Sequence, residues 1–113
     1  MPAATRYLEP AEAPTREQVD RMTGPVLVEF GTEWCGFCRA LRPQIEVLLA
    51  AQPEVRHLKV EDGPGQPLGR SFHVKLWPNL VFLRDGRIVE QIARPSRSQL
   101  EAAFAALARG QSA

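Results

Sequence analysis

The stretch Trp34-Cys35-Gly36-Phe37-Cys38 decides the interpretation of this chain, because it holds both cysteines among 113 residues. A Cys-x-x-Cys pair either binds a metal or cycles between dithiol and disulfide, and the surrounding sequence indicates which. The pair supplies only two ligands, and neither His57 nor His73 stands at a zinc-finger spacing from it. The pattern therefore favours redox chemistry without a metal site, and an inert buried pair is the alternative.

The segments on either side place the dithiol where a strand ends and a helix begins. Residues 26–30 are apolar except for one carboxylate, which is typical of a buried strand in an α/β sheet. After the motif, apolar residues recur near helical spacing through Ala51, and Pro53 stops the pattern. The free N–H groups and positive dipole end of a first helical turn stabilise a thiolate. Cys35 is therefore predicted to attack, and Cys38, one turn inward, to resolve.

The rest of the chain predicts further strands and helices. Capping signals predict helices that begin at Thr15 and Ser96. Asp85-Gly86 between two β-type runs is a strong signal for an antiparallel hairpin. The predicted strands cover residues 55–60, 80–84 and 87–92, and the predicted helices cover residues 15–22, 67–72 and 96–110. The fold class is α/β, with a central mixed β-sheet of four or five strands flanked by helices on both faces.

Length and composition predict a single domain. With 113 residues, of which 44% are hydrophobic, the chain is long enough for one compact core. The domain is predicted over residues 15–110. Residues 1–14 are expected to form an N-terminal extension or a short edge strand, and residues 111–113 a frayed tail.

Charge and hydropathy exclude several classes of partner. The 14 basic and 13 acidic residues are mixed along the chain and give a net charge of +1, so we expect no binding to nucleic acid or membrane. Arg94 and Arg97 are expected to be solvated at a helix start. No segment approaches the run of about 20 apolar residues that crosses a bilayer, and residues 1–14 lack the pattern of a secretory signal. We therefore expect a cytoplasmic protein, in a compartment where dithiols stay reduced.

The combined pattern resembles the thioredoxin family over residues 15–110. Four features carry the resemblance: the motif at residues 34–38, Pro43 five residues beyond the second cysteine, Pro78 at the start of the penultimate strand, and the hairpin followed by a terminal helix. It implies the thioredoxin fold and a thiol-disulfide oxidoreductase that reduces protein disulfides through a mixed disulfide. It also implies recycling by a thioredoxin-reductase-like flavoprotein that draws on NADPH. No glycine-rich dinucleotide motif is present, so we expect no bound cofactor. We also expect the protein to be a monomer.

The resemblance also implies a substrate-binding surface around the dithiol. In the family, the proline that matches Pro78 is cis, and the backbone of the preceding residue, here Trp77, pairs with an extended segment of the substrate. Trp34, Gly36 and Phe37 are expected to complete a mostly apolar rim beside the nucleophile. The alternatives are an ordinary trans proline and tryptophans that pack only against the sheet edge.

Glu29 and His57 are the other candidate catalytic residues. A carboxylate in the middle of an apolar strand is expensive to bury unless it has a partner or a purpose. Thioredoxins usually carry a buried aspartate at the place of Glu29, six residues before the first cysteine, and many carry a lysine at the place of His57. The resemblance implies that Glu29 deprotonates Cys38 during resolution. A proton-handling pair of Glu29 and His57 is a hypothesis specific to this sequence. The alternatives are a solvent-facing Glu29 at a sheet edge and a surface His57.

Three departures from the family pattern bear on function. Phe37 replaces the usual proline between the cysteines, which favours a more oxidising couple. Trp77 is bulkier than the usual aliphatic residue, and the usual glycine near Arg94 is missing. A more oxidising disulfide isomerase or oxidant therefore stays open as an alternative, and so does a non-enzymatic binding or assembly module.

Overall fold

The computed structural model describes residue 4 and residues 6–110. The predicted tail at residues 111–113 and part of the predicted extension, residues 1–3 and 5, lie outside the described residues. The described residues form four helices: α1 (Arg16–Asp20), α2 (Gly36–Ala51), α3 (Pro67–Ser71) and α4 (Arg97–Arg109). They also form four strands: β1 (Pro25–Gly31), β2 (Arg56–Glu61), β3 (Asn79–Arg84) and β4 (Arg87–Ala93). Within the described part of the chain, no helix is long and apolar enough to span a bilayer.

The four strands form one mixed sheet in the order β2-β1-β3-β4, which confirms the predicted architecture. Strand β1 pairs in parallel with β2, and the β1–β3 and β3–β4 pairs are antiparallel. The predicted edge strand in the N-terminal extension is reduced to a single bridge, between Leu8 and Val60. Strand β1 lies between β2 and β3 in the sheet. The dithiol motif follows its C-terminal end, so the motif lies near the middle of that end of the sheet and not beside an edge strand.

Helices cover both faces of the sheet, because side chains alternate between the faces along each strand. On one face, Leu27 of β1 packs with Ile45 of α2 and Phe104 of α4. On the other face, Phe30 packs with Val19 of α1, Leu68 of α3 and Phe72, which directly follows α3. Glu29 shares the face of Leu27, so its side chain is directed toward α2, the helix that carries the dithiol.

Local capping explains where the helices begin. Thr15 and Gln18 form the predicted capping box of α1, and Ser96 and Gln99 form that of α4. Helix α1 ends at Asp20, two residues before the predicted end. The reciprocal side-chain bonds satisfy backbone N–H groups that a first helical turn leaves free.

Candidate active site

The two cysteines stand at the start of α2 and differ in burial. Cys35 is the N-cap residue of α2, and its Sγ accepts a hydrogen bond from the Cys38 backbone N at 3.3 Å. Both thiols are free. The exposed fraction is 8% for Cys35 and 1% for Cys38, so Cys35 is the more accessible thiol of the pair, as predicted.

Burial keeps Cys38 protonated at neutral pH. Loss of solvent, strengthened by the adjacent Cys35, raises the pKa of the Cys38 thiol to about 11, although the Thr32 backbone and the Tyr7 hydroxyl oppose the shift. Its thiolate therefore becomes abundant only as the pH rises toward that value. At neutral pH, any reaction in which Cys38 attacks must include removal of its proton.

Glu29 and His57 form a buried pair beneath the dithiol. His57 Nε2 lies 2.8 Å from Glu29 Oε1, and both side chains are 3% exposed. The backbone N–H of Ala4 donates to His57 Nδ1 at 2.9 Å, so that nitrogen carries no proton and Nε2 donates to the carboxylate. The interpretations of Glu29 as a solvent-facing edge residue and of His57 as a surface residue are therefore wrong.

Tyr7 completes this cluster, although nothing in the sequence pattern predicted a role for it. Its hydroxyl donates to Glu29 Oε2 at 3.4 Å, and Lys59 Nζ lies 4.4 Å from the centroid of its ring. Burial, reinforced by the charges of Glu29 and Cys38, raises the pKa of the Tyr7 phenol well above its ordinary value. The one available signal was that Tyr7 is the only tyrosine of the chain.

Gly31 leaves the space in which this cluster meets Cys38. A Cβ placed on Gly31 would lie 2.5 Å from Cys38 Sγ and 2.9 Å from the Tyr7 hydroxyl oxygen. No side chain fits between these atoms. The thiol, the phenol and the end of β1 therefore share one closely packed volume.

The residues predicted to bind substrate form a rim around Cys35. Trp34 and Phe37 are 72% and 59% exposed, which is unusual for large apolar side chains. Trp77 is partly buried, its ring meets that of Trp34 edge to face at 5.6 Å, and its Nε1 donates to Asp62 Oδ2 at 2.9 Å. The peptide bond between Trp77 and Pro78 is cis, as predicted.

The described residues hold no group of three or more histidine, cysteine, aspartate or glutamate side chains that could bind a metal ion. The site described above consists of the dithiol and its buried neighbours. Their arrangement leaves Cys35 the more accessible thiol and encloses Cys38 beside the Tyr7 hydroxyl.

The family model described as thioredoxin matches residues 8–106. This chain belongs to the thioredoxin family. Among solved structures, it is similar to reduced thioredoxin 2 from Pseudomonas aeruginosa PAO1, with 58% identity, a TM-score of 0.80, and coverage of 94% of this chain and 98% of that one. Thioredoxin from Chlamydia trachomatis serovar D is 38% identical over 61% of this chain and 68% of its own length.

The chain is also similar to part of a longer protein. Protein disulfide-isomerase A2 from Pongo abelii is 36% identical to this chain over an alignment that covers 68% of this chain and 19% of that protein. Together with the fold and the Cys35–Cys38 pair, the comparisons confirm the prediction of a thiol-disulfide oxidoreductase.

Arg94 is a second residue that sequence reasoning missed. It is exposed, as expected, and its guanidinium also lies 4.1 Å from the centroid of the Phe37 ring. Its Nε also donates to the Trp77 carbonyl oxygen at 2.8 Å. Phe37, Pro78 and Arg94 border a cavity of about 240 Å³ beside the dithiol. The loop that lacks the usual thioredoxin glycine therefore contributes to the rim.

A Gly31→Ala variant tests whether the space at this glycine is required. We expect the new methyl group to lower the free energy of unfolding by about 1–3 kcal/mol, because it must displace a buried sulfur and a buried hydroxyl. Urea unfolding at equilibrium measures this change. The control is Gly36→Ala, where an added Cβ would meet nothing within 4 Å. Equal stability of the two variants would contradict the prediction.

Proposed function

We propose that this thioredoxin-family protein reduces disulfides of protein substrates, with Cys35 as the attacking thiol and Cys38 as the resolving thiol. The observation that carries the proposal is the unequal burial of the pair, 8% against 1% exposed, beside an apolar rim. A substrate disulfide can reach Cys35, whereas the enclosed Cys38 can reach only the sulfur of Cys35 itself. The inert pair and the non-enzymatic module do not account for this asymmetry.

The proposed cycle has two exchanges. Cys35 thiolate attacks one substrate sulfur, and the other sulfur leaves as a thiolate. Cys38 then attacks Cys35, which releases the second substrate sulfur and leaves a Cys35–Cys38 disulfide. Two electrons have passed to the substrate, so a reductant must restore the dithiol. We propose a thioredoxin-reductase-like flavoprotein for that step.

The rim supports a protein substrate over a small molecule. Trp34 and Phe37 offer exposed aromatic surface, and the Trp77 backbone is proposed to pair with an extended substrate segment while Gly36 and Pro78 allow a close approach. Main-chain pairing gives affinity with little sequence selectivity. We propose a cytoplasmic location, where reductant is available, and a monomer, because one chain supplies every part of the site.

The midpoint potential of the Cys35–Cys38 couple tests the direction of exchange. Thiols are trapped after equilibration in defined thiol-disulfide buffers at pH 7. A value near about −270 mV supports a reductase, whereas a value near about −180 mV or above favours an isomerase or oxidant. If the intramolecular disulfide did not form at any buffer potential, the redox function would be overturned. The non-enzymatic binding module would then be the remaining interpretation.

An Arg94→Ala variant tests main-chain pairing at Trp77. In the free protein, Arg94 occupies the Trp77 carbonyl that an extended substrate would use. Removing this competitor is expected to lower KM for a peptide with one disulfide about fivefold, the equivalent of one hydrogen bond, with kcat unchanged. Arg97→Ala, which removes the same charge from the start of α4, is the control. A raised KM in Arg94→Ala would show instead that the arginine itself holds substrate.

A further inference from the structure

Tyr7 lies between the resolving thiol and the buried acid, and no part of the cycle above uses it. Its hydroxyl donates to Glu29 Oε2, and together with Cys38 Sγ it encloses the space at Gly31. We propose that the Tyr7 hydroxyl carries the proton of Cys38 to Glu29 when Cys38 attacks the mixed disulfide. The inference rests on the proposed function and adds a residue to its second exchange.

The need for such a relay follows from the burial of Cys38. Its side chain is 1% exposed, so bulk water does not take its proton directly. Glu29 lies on the sheet face that is directed toward α2, but its Oε1 already accepts from His57 Nε2. The other oxygen, Oε2, faces Tyr7. The phenol therefore occupies the route from the thiol to the free side of the acid.

The proposed step balances in protons and electrons. The Cys38 proton moves to the Tyr7 oxygen as the phenol proton moves to Glu29 Oε2, so the tyrosine ends as it began. Cys38 Sγ forms a bond to Cys35 Sγ, and the bond between Cys35 and the substrate sulfur breaks, with both electrons leaving on the substrate sulfur. The substrate thiolate then takes a proton from water, and Glu29 later returns its proton to solvent.

The surroundings of Tyr7 suit a relay that is never itself ionised. Its pKa is raised by burial and by the negative groups nearby, so the phenol keeps a proton to donate at every physiological pH. Four charged or titratable side chains are placed around the phenol by their contacts: Glu29, with His57 behind it, Cys38, and Lys59, whose Nζ faces the ring. Two more contact the Tyr7 backbone: Glu33 Oε1 accepts from its N–H at 3.4 Å, and the Arg6 guanidinium donates to its carbonyl oxygen at 3.4 Å.

The N-terminal segment holds the phenol in place through the sheet. The Leu8 backbone N donates to the Lys59 carbonyl at 2.6 Å, and the Glu61 backbone N donates to the Leu8 carbonyl at 2.9 Å. This pairing fixes the residue next to Tyr7 along β2. Tyr7 and Leu8 therefore form one wall of the site.

A Tyr7→Phe variant removes the hydroxyl and keeps the ring that faces Lys59. Stopped-flow kinetics with a fluorescent peptide disulfide separate the two exchanges. In a Cys38→Ser background, formation of the mixed disulfide is expected to proceed at the same rate with tyrosine or phenylalanine at position 7. With Cys38 present, resolution is expected to slow about 100-fold at pH 7, in the range of general acid–base effects. Resolution within twofold of the parent rate would overturn the proposal.

Two readouts distinguish a relay from a packing role. Resolution in Tyr7→Phe is expected to rise about tenfold per pH unit above neutrality, because it depends on spontaneous ionisation of Cys38. Adding Glu29→Gln to Tyr7→Phe is expected to slow resolution no further, since both residues serve one step, and independent, additive losses would overturn the relay.

The parent chain offers a test that needs no variant. Resolution measured in mixtures of H₂O and D₂O is expected to give a curved plot, because two protons move together. A linear plot would overturn the relay even if Tyr7→Phe failed to fold. If the parent chain formed no mixed disulfide at Cys35, the proposed function itself would fail. The two failures are therefore distinguishable.

Discussion

A Cys38→Ser variant is expected to stop after the first exchange and to accumulate a mixed disulfide at Cys35. Cys35 keeps its place at the start of α2, so its attack on a peptide disulfide should continue. Turnover should fall by about 10³-fold or more, because no second thiol lies within reach to release the substrate. Mass spectrometry of the acid-quenched reaction identifies the adduct and its site.

The matched variant is Cys35→Ser, which should form no adduct on the same timescale because Cys38 is enclosed and protonated. An adduct formed equally fast at Cys38 would contradict the assignment of attacking and resolving thiols. The pair of variants therefore tests the roles and not merely the need for both cysteines.

A His57→Leu variant is expected to lose about 3 kcal/mol of unfolding free energy at pH 7, because it leaves a buried carboxylate without its partner. His57 Nε2 lies 2.8 Å from Glu29 Oε1, and both side chains are 3% exposed. Urea unfolding measures the loss. A Glu29→Gln background has no buried carboxylate that could lose its partner. In that background, the same substitution should lower the free energy of unfolding much less.

His57→Lys is the informative companion, because it restores a donor to Glu29 but stays charged where an imidazole is neutral. Most of the stability should return. The pH–rate profile of resolution should nevertheless change if His57 and Glu29 handle the proton together. If the pH–rate profile did not change, Glu29 and His57 would not act as a proton-handling pair. Their contact would then have only a structural role.

The parts of this structure that could be predicted from sequence depend on local signals. The strand before the motif, the helix after it and the Asp85-Gly86 hairpin each follow from spacing within one segment of chain. Burial of Glu29 followed from the apolar residues around it. The contact between Glu29 and His57 was anticipated only through a family resemblance, because β2 reaches β1 through a pairing that spacing does not reveal.

The residues that escaped prediction are positioned by distant contacts. Tyr7 reaches Cys38 because a single bridge at Leu8 aligns the N-terminal segment with β2, and one bridge leaves no periodic pattern. Arg94 lies over Phe37 because the loop after β4 turns back, with a positive φ of 49° at Arg94 itself. Arg94 is exposed, as a charged residue before a helix cap ordinarily is, and sequence alone does not indicate its contacts with Phe37 and Trp77.

The edge-to-face pair of Trp34 and Trp77 gives this protein a built-in optical reporter. These are the only two tryptophans in the chain, and both stand beside the dithiol. All intrinsic indole emission therefore originates at the rim, where disulfide formation at Cys35 and contact with a partner can quench or shift it. We therefore expect the fluorescence of the unlabelled protein to report the redox state, with no indole emission from elsewhere in the fold.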